Sequence, residues 1–289
     1  MLRRDVLKGI AWSAAAIAAG RMSPAVATPA LDGVGAQLAT LERRHGGRLG
    51  VAILDTGSGR REGWRGHERF LMCSTFKLLL AAAVLARVDA GKERLDHRIV
   101  FGKDVLLDYA PVSKQHVGPP GMTIAQLCEA AITLSDNTAA NLLFREIGGP
   151  QAFTAYTRSL GDPFTRLDRI EPMLNRPHGD WDTTTPDAML DDMHKLLLGD
   201  ALLQSSRERL IGWMLQCRTG SDSLRAGLPS DWREGDKTGS GDTATNDVAI
   251  LWPPHRKPLL VTAYCENARV PARQRHAVLA EVGRIVATM

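Results

Sequence analysis

Segments with strand character lie at the two ends of this chain, and a long, mainly helical stretch separates them. Leu49 to Leu54 is an apolar run suited to a strand. Thr56-Gly57-Ser58-Gly59 then reads as a turn, with a second strand following toward Trp64. Strand character returns only at Trp232 to Thr238, Asp247 to Trp252 and Leu259 to Cys265, the last two joined by Pro253-Pro254-His255. An isolated hairpin is marginal in water, so the two ends must meet in one antiparallel sheet. Helical spacing covers Leu31 to Arg44 and the run Leu78 to Leu85, which Ser74 opens and Gly91 stops. Thr123 and Gln126 form a capping-box pattern ahead of Leu127, Ala131 and Leu134. Asn137 to Ile147 is a further helix ended by Gly148-Gly149-Pro150, and an amphipathic helix runs from about Pro271 to the end.

The fold class that follows is α+β, an α/β sandwich. One antiparallel sheet is built from both chain ends, helices flank it, and a mainly helical domain is inserted. The expected boundaries are 28–72 with 221–289 for the α/β part and 73–220 for the helical part. The interface between two such bodies is where a site is expected. With 289 residues, 44% of them hydrophobic, the chain can bury a core of that size.

Residues 1–27 read as a leader rather than as part of the fold. Arg3, Arg4 and Lys8 precede an apolar stretch from Gly9 to Ala19, too short to span a bilayer, and Ala25-Val26-Ala27 offers a small-residue cleavage site. Arg3-Arg4 with Leu7-Lys8 is the twin-arginine pattern. The expected product is exported to the periplasm, without stable membrane insertion. The leader carries most of the formal net charge of +4, so that charge is no argument for a nucleic-acid partner. Four cysteines, Cys73, Cys128, Cys217 and Cys265, lack zinc spacing, and the 8 histidines form no His-x-His or His-Glu-x-x-His. No metal and no cofactor are expected.

Four short motifs carry chemistry. Ser74-Thr75-Phe76-Lys77 sets a serine and a lysine on one helical face, so that an ammonium can reach a hydroxyl that is a weak nucleophile on its own. A capping serine followed by a surface lysine gives the same string. Ser135-Asp136-Asn137 lies between two helices, where a cap serves equally well, and Asp136 suits that role. Lys237-Thr238-Gly239-Ser240-Gly241 falls on a late strand. Gly239 to Ala244 fits a loose dinucleotide fingerprint, but a strand rather than a helix follows it. Glu171-Pro172-Met173-Leu174-Asn175 sits in a loop of about 166–182 rich in proline, glycine and charge, of a length that usually serves a function.

Together these motifs resemble class A serine β-lactamases, whose Ser-x-x-Lys, Ser-Asp-Asn, Lys-Thr-Gly and loop-glutamate set occurs here complete and in order. The likeness runs from Leu31 to the C-terminus. It implies hydrolysis of the β-lactam ring of penicillins and cephalosporins through a serine acyl-enzyme, conferring resistance, by a monomer acting on a small molecule. By the resemblance Ser74 is the nucleophile, and Lys77 and Glu171 are alternative acceptors of its proton. Glu171 and Asn175 hold the deacylating water. Ser135 passes a proton to the leaving nitrogen, and Lys237 supplies positive charge to Ser135 and to the substrate carboxylate. Tyr109, Asn137, Thr238 and Gly239 bind substrate, and the N–H groups of Ser74 and Ser240 form the oxyanion hole. Arg169–Asp182 pins the loop, and Glu171-Pro172 is cis.

The departures are equally specific. Many members carry a carboxylate-binding arginine on the strand after Lys-Thr-Gly; Asn246 stands in that place, with no replacement visible. Carbapenem-hydrolysing members bridge the cysteine before the nucleophile to one just after Lys-Thr-Gly. Here Cys73 faces Gly241 in the motif, so Cys73 is expected to be unbridged. Cys128 matches a cysteine bridged in another branch, but its partner position is Ala81. Two rivals share part of the motif set: a penicillin-binding transpeptidase or carboxypeptidase, and a β-lactam sensor without turnover. The Glu171–Asn175 loop speaks against the first, and the lack of a membrane span speaks against the second.

Overall fold

A computed structural model describes residues 33–289. The leader reading of residues 1–27 therefore lies outside the described residues.

The two chain ends meet in one five-stranded antiparallel sheet. Its strands are β1 (Arg48–Asp55), β2 (Arg61–Trp64), β3 (Arg233–Ser240), β4 (Ala244–Trp252) and β5 (Leu259–Glu266). Their spatial order is β2-β1-β5-β4-β3. The seam between the ends is the β1–β5 ladder, in register from Arg48 opposite Glu266 to Asp55 opposite Leu259. Strand β4 starts three residues earlier than the apolar run implies. Ala244, Thr245 and Asn246 pair with β5, and Thr245 and Asn246 pair with β3 as well.

Successive side chains of a strand face opposite sides, and both sides of this sheet are buried. Val51, Ile53, Leu251 and Val261 pack with Leu38 and Leu41 of helix α1 (Val34–His45) and with Leu279 and Val282 of helix α8 (Ala272–Val286). Ala52, Leu54, Val248, Ile250, Leu260 and Tyr264 belong to the core on the other side. That is why these strands read as continuous apolar runs rather than alternating ones.

The second core is organised by helix α2 (Phe76–Asp89). Every residue from Phe76 to Leu85 is buried, as suits a helix surrounded by others. Around it lie α3 (Ile124–Thr133), α4 (Asn137–Ile147), α5 (Gly149–Ser159), α6 (Pro186–Leu197) and α7 (Gln204–Leu215). Phe76 stacks on Phe144 at 5.3 Å, and Phe153 meets both edge-on. The capping box at Thr123 and Gln126 forms in both directions. Asp136 caps α4 by accepting from the Ala139 N–H.

One buried group in this core is under electrostatic stress. Asp192 of α6 is fully buried, and neither carboxyl oxygen finds a donor among the described residues. Burial, reinforced by the neighbouring Asp162, pushes its pKa up to about 9. The folded state thus favours the protonated acid. Its unfolded counterpart ionises near 3.8, so folding loses stability as pH rises from there toward 9. Asp192→Asn keeps the shape and removes that proton linkage. In thermal melts it is expected to exceed the parent by about 3 °C or more near neutral pH, with the gap closing near about pH 4. Equal melting temperatures at neutral pH would show that Asp192 is not held as the neutral acid.

Candidate active site

Ser74 stands on a tight turn, Cys73–Thr75, immediately before α2. The sequence places it at the helix start; the structure puts a single 3₁₀ turn there instead. Cys73 has a positive φ of 44°, a conformation that β-branched or bulky residues resist. Two clamps hold this turn. Asn246 donates from Nδ2 to the carbonyls of Leu71 and Met72, at 2.8 and 3.0 Å. On the other side β3 passes so close at Gly239 that a Cβ there would lie 2.8 Å from the Met72 carbonyl and 3.0 Å from the Ser74 nitrogen. Gly239 is thus needed for the close approach. Asn246, which stands where the resemblance looks for an arginine, has its amide fully buried behind the Cys73–Thr75 turn.

Lys77 lies one helical turn beyond Ser74, and its side chain is fully buried. Its Nζ donates to Ser74 Oγ at 2.9 Å, to the Ser135 carbonyl at 2.8 Å and to Asn137 Oδ1 at 2.5 Å. It also pairs with Glu171 Oε1 at 3.1 Å. Burial holds the Lys77 ammonium below its ordinary pKa, against the opposing pull of Glu171. Ser74 Oγ itself donates to Glu171 Oε1 at 3.3 Å. The Ser74 hydroxyl, the Lys77 ammonium and the Glu171 carboxylate therefore share one hydrogen-bonded cluster.

Ser135 enters from the short link between α3 and α4, with a positive φ of 57°. Its hydroxyl accepts from Lys237 Nζ at 3.1 Å, and Lys237 also donates to the Thr238 carbonyl at 2.6 Å. Lys237 is buried, and burial pushes its pKa down to about 8. The two motif lysines thus approach Ser135 from two sides.

Glu171 is delivered by the loop after α5. Arg169 Nε donates to Asp182 Oδ2 at 2.6 Å, and Asp182 Oδ1 accepts from the N–H groups of Asp168 and Arg169. The Glu171-Pro172 bond is cis, as the resemblance implies. Asn175 Nδ2 donates to Glu171 Oε2 at 2.5 Å, while Asn175 Oδ1 is buried and has no partner among the described residues. Asn141 was not singled out from sequence. Its side chain exchanges two hydrogen bonds with the Glu171 backbone, at 2.9 and 3.1 Å. It lies four residues after Asn137 on α4, and that shared face was its one legible signal.

These groups open onto a cleft of about 350 Å³ lined by Ser74, Tyr109, Ser135, Asn137, Asn175 and Ser240, with Thr219, Thr238 and His276 along its far rim. Tyr109 is half exposed at its edge. A hollow of about 640 Å³ lies elsewhere, bordered by Arg61, His67, Asp187 and Lys195. It is larger, but Arg61–Asp191 and His67–Asp187 are ion pairs there, Lys195 donates to the Leu160 carbonyl, and its lining holds no serine or cysteine beside a base. Chemistry rather than size singles out the Ser74 cleft. Among the described residues, one group of potential metal-ligand atoms, on Glu93, His97 and Glu146, shares no residue with that cleft.

The family model described as the β-lactamase enzyme family matches residues 34–288. β-Lactamase L2 of Stenotrophomonas maltophilia is 46% identical, over 97% of this chain and 93% of its own length. β-Lactamase Toho-1 of Escherichia coli is 46% identical, over 86% of this chain and 87% of its own. An ancestral class A β-lactamase of known structure superposes with a TM-score of 0.86 at 61% identity, covering 88% of this chain and 99% of that one.

All four cysteines are buried and free. A Cβ added at Gly241 would come 3.2 Å from Cys73 Sγ, so position 241 does face Cys73 and lacks only the side chain to bridge it. Burial raises every thiol, Cys217 to about 11 and Cys265 to about 12, with Cys73 and Cys128 higher still. Thiolate is the reactive form, so the native protein is expected to resist alkylation near about pH 8. After unfolding without reductant all 4 cysteines should be labelled in the intact mass. A missing pair of adducts would reveal a bridge, and one that includes Cys73 would mean the Cys73–Thr75 turn is built differently.

Proposed function

The chain belongs to the class A serine β-lactamase family and hydrolyses the β-lactam ring, an activity that confers antibiotic resistance; on that premise we propose that it opens penicillins and cephalosporins through an acyl-enzyme on Ser74. The observation that carries this reading is the contact of Ser74 Oγ with both Lys77 Nζ and Glu171 Oε1 inside a buried cluster.

Ser74 Oγ attacks the lactam carbonyl carbon, and its proton passes to the Lys77–Glu171 pair. The depressed pKa of Lys77 supports its share in that task. The oxyanion is met by the N–H groups of Ser74 and Ser240, donors of a kind worth about 3–4 kcal/mol each. The carbonyl–nitrogen bond then breaks, and Ser135 delivers a proton to the departing nitrogen, its hydroxyl held by Lys237. Asn137 and Tyr109 flank the substrate's side chain, and Thr238 and Gly239 belong to the strand along which it lies. In the second half, Glu171 takes a proton from water that Asn175 helps to orient, and the hydroxide attacks the ester carbonyl and releases Ser74. The Glu171–Asn175 contact favours hydrolysis over the transpeptidase reading, which has no need of a base for water.

Residues 1–27 serve in this proposal as a twin-arginine leader for delivery to the periplasm. Among the described residues no helix is long and apolar enough to cross a membrane.

The reading is tested with a chromogenic cephalosporin in excess over enzyme. The parent is expected to turn over many equivalents and Ser74→Ala none. A single burst of one equivalent by the parent would identify a sensor-like acceptor. Turnover by Ser74→Ala at the parental rate would remove the serine mechanism.

A further inference from the structure

The two N–H groups that meet the developing oxyanion come from different elements, Ser74 from the Cys73–Thr75 turn and Ser240 from the end of β3. Their spacing decides whether one oxygen can reach both at hydrogen-bond distance. Asn246 touches the supports of both. In the β3–β4 ladder it stands opposite Gly239, while its neighbour Thr245 stands opposite Ser240. Its side chain leaves the sheet and donates from Nδ2 to the carbonyls of Leu71 and Met72, at 2.8 and 3.0 Å, directly ahead of the turn.

The turn needs such a hold. Cys73 has a φ of 44°, a left-handed conformation that persists in a non-glycine residue only where its surroundings over-determine it. The Met72 carbonyl also accepts from Thr75 Oγ1 at 2.8 Å and from the Thr75 N–H at 3.3 Å. The Met72 N–H donates to the Asp182 carbonyl at 3.0 Å, at the neck of the glutamate loop. Leu71, Met72 and Asn246 are all buried, so their polar groups depend on one another rather than on water. One amide nitrogen carries two N–H donors and can serve both carbonyls at once. The frame behind it is fixed as well. Asn246 pairs with Tyr264 of β5, and the buried Arg275 donates to Thr245 Oγ1 and to the Gly241 carbonyl, both at 3.0 Å.

Resting on the β-lactamase reading, we infer that Asn246 is a positioning residue that sets the spacing of the two oxyanion-hole donors. It ties the carbonyls ahead of Ser74 to the strand pair that carries Ser240. Gly239 fixes how closely β3 approaches the turn, since a Cβ there would lie 3.0 Å from the Ser74 nitrogen. Asn246 fixes how far the turn can move away.

The test compares Asn246→Ala, which removes the amide, with Asn246→Asp, which keeps its shape but has at most one donor. Steady-state kinetics with benzylpenicillin should show kcat about tenfold lower in both and KM changed less. Deleting an oxyanion-hole donor costs about 100-fold or more, and here both donors remain but are misplaced. The direct readout is the infrared stretch of the acyl-ester carbonyl, with the lactam carbonyl carbon of the penicillin isotopically labelled. It is recorded on the adduct held by Glu171→Ala, alone and combined with each Asn246 variant, after thermal melts have shown which variants fold. A weaker hole polarises the carbonyl less, so the band should move to higher wavenumber in the combined variants. A folded variant whose band stays where Glu171→Ala places it would overturn the inference, whether or not kcat falls. Absence of both turnover by the parent and any adduct on Ser74 would instead overturn the reading beneath it.

Discussion

A fully buried ammonium is the constraint around which this molecule is arranged. Moving one charge out of water costs several kcal/mol even after relaxation, about the whole net stability of many domains. Lys77 is tolerated because three separate stretches of chain bring it partners: Ser74 from the Cys73–Thr75 turn, Ser135 and Asn137 from the α3–α4 link and the start of α4, and Glu171 from the loop after α5. Each of those stretches is pinned in turn, by Asn246, by Asp136 and by the Arg169–Asp182 pair. Burial lowers the Lys77 pKa, and the compensation that offsets this cost sets a carboxylate against the serine. The stability problem and the proposed chemistry therefore have one solution.

The sheet supplies the other half of the site. Strand β3 brings Lys237 to Ser135 and, through the bare backbone of Gly239, brings Ser240 alongside Ser74. That strand is held in place only once β1 and β5 have closed the gap between the chain ends. Closing so long a loop costs entropy that no local contact repays, so the cleft can form only as a late consequence of the whole fold.

Much of this was legible in the sequence, and for a physical reason. Strand runs, caps and Ser-x-x-Lys are local patterns, and each local preference agrees with the final fold: the Thr123–Gln126 box, the Asp136 cap and the Gly148 end of α4 all form as read. What stayed hidden depends on distant segments approaching. Asn141 reads as an ordinary helix asparagine until the Glu171 loop lies against it. His276 reads as one polar position of an amphipathic helix until α8 packs against β4 and β5 and brings it to the cleft rim. Asn246 stands where the family resemblance looks for a cation, and only the side-chain direction shows that it points inward. The early start of β4 was hidden similarly, because Thr245 and Asn246 are polar yet paired on both edges.

The central claim is that Glu171 serves the second half of the reaction more than the first, since Lys77 remains beside Ser74 when the carboxylate is removed. Intact-mass spectrometry of Glu171→Ala, taken minutes after mixing with benzylpenicillin, tests this most directly. The account predicts one covalent penicilloyl adduct per chain, on Ser74, accumulating and persisting. Turnover at the parental rate with no adduct accumulating would contradict it and would require another base for the water.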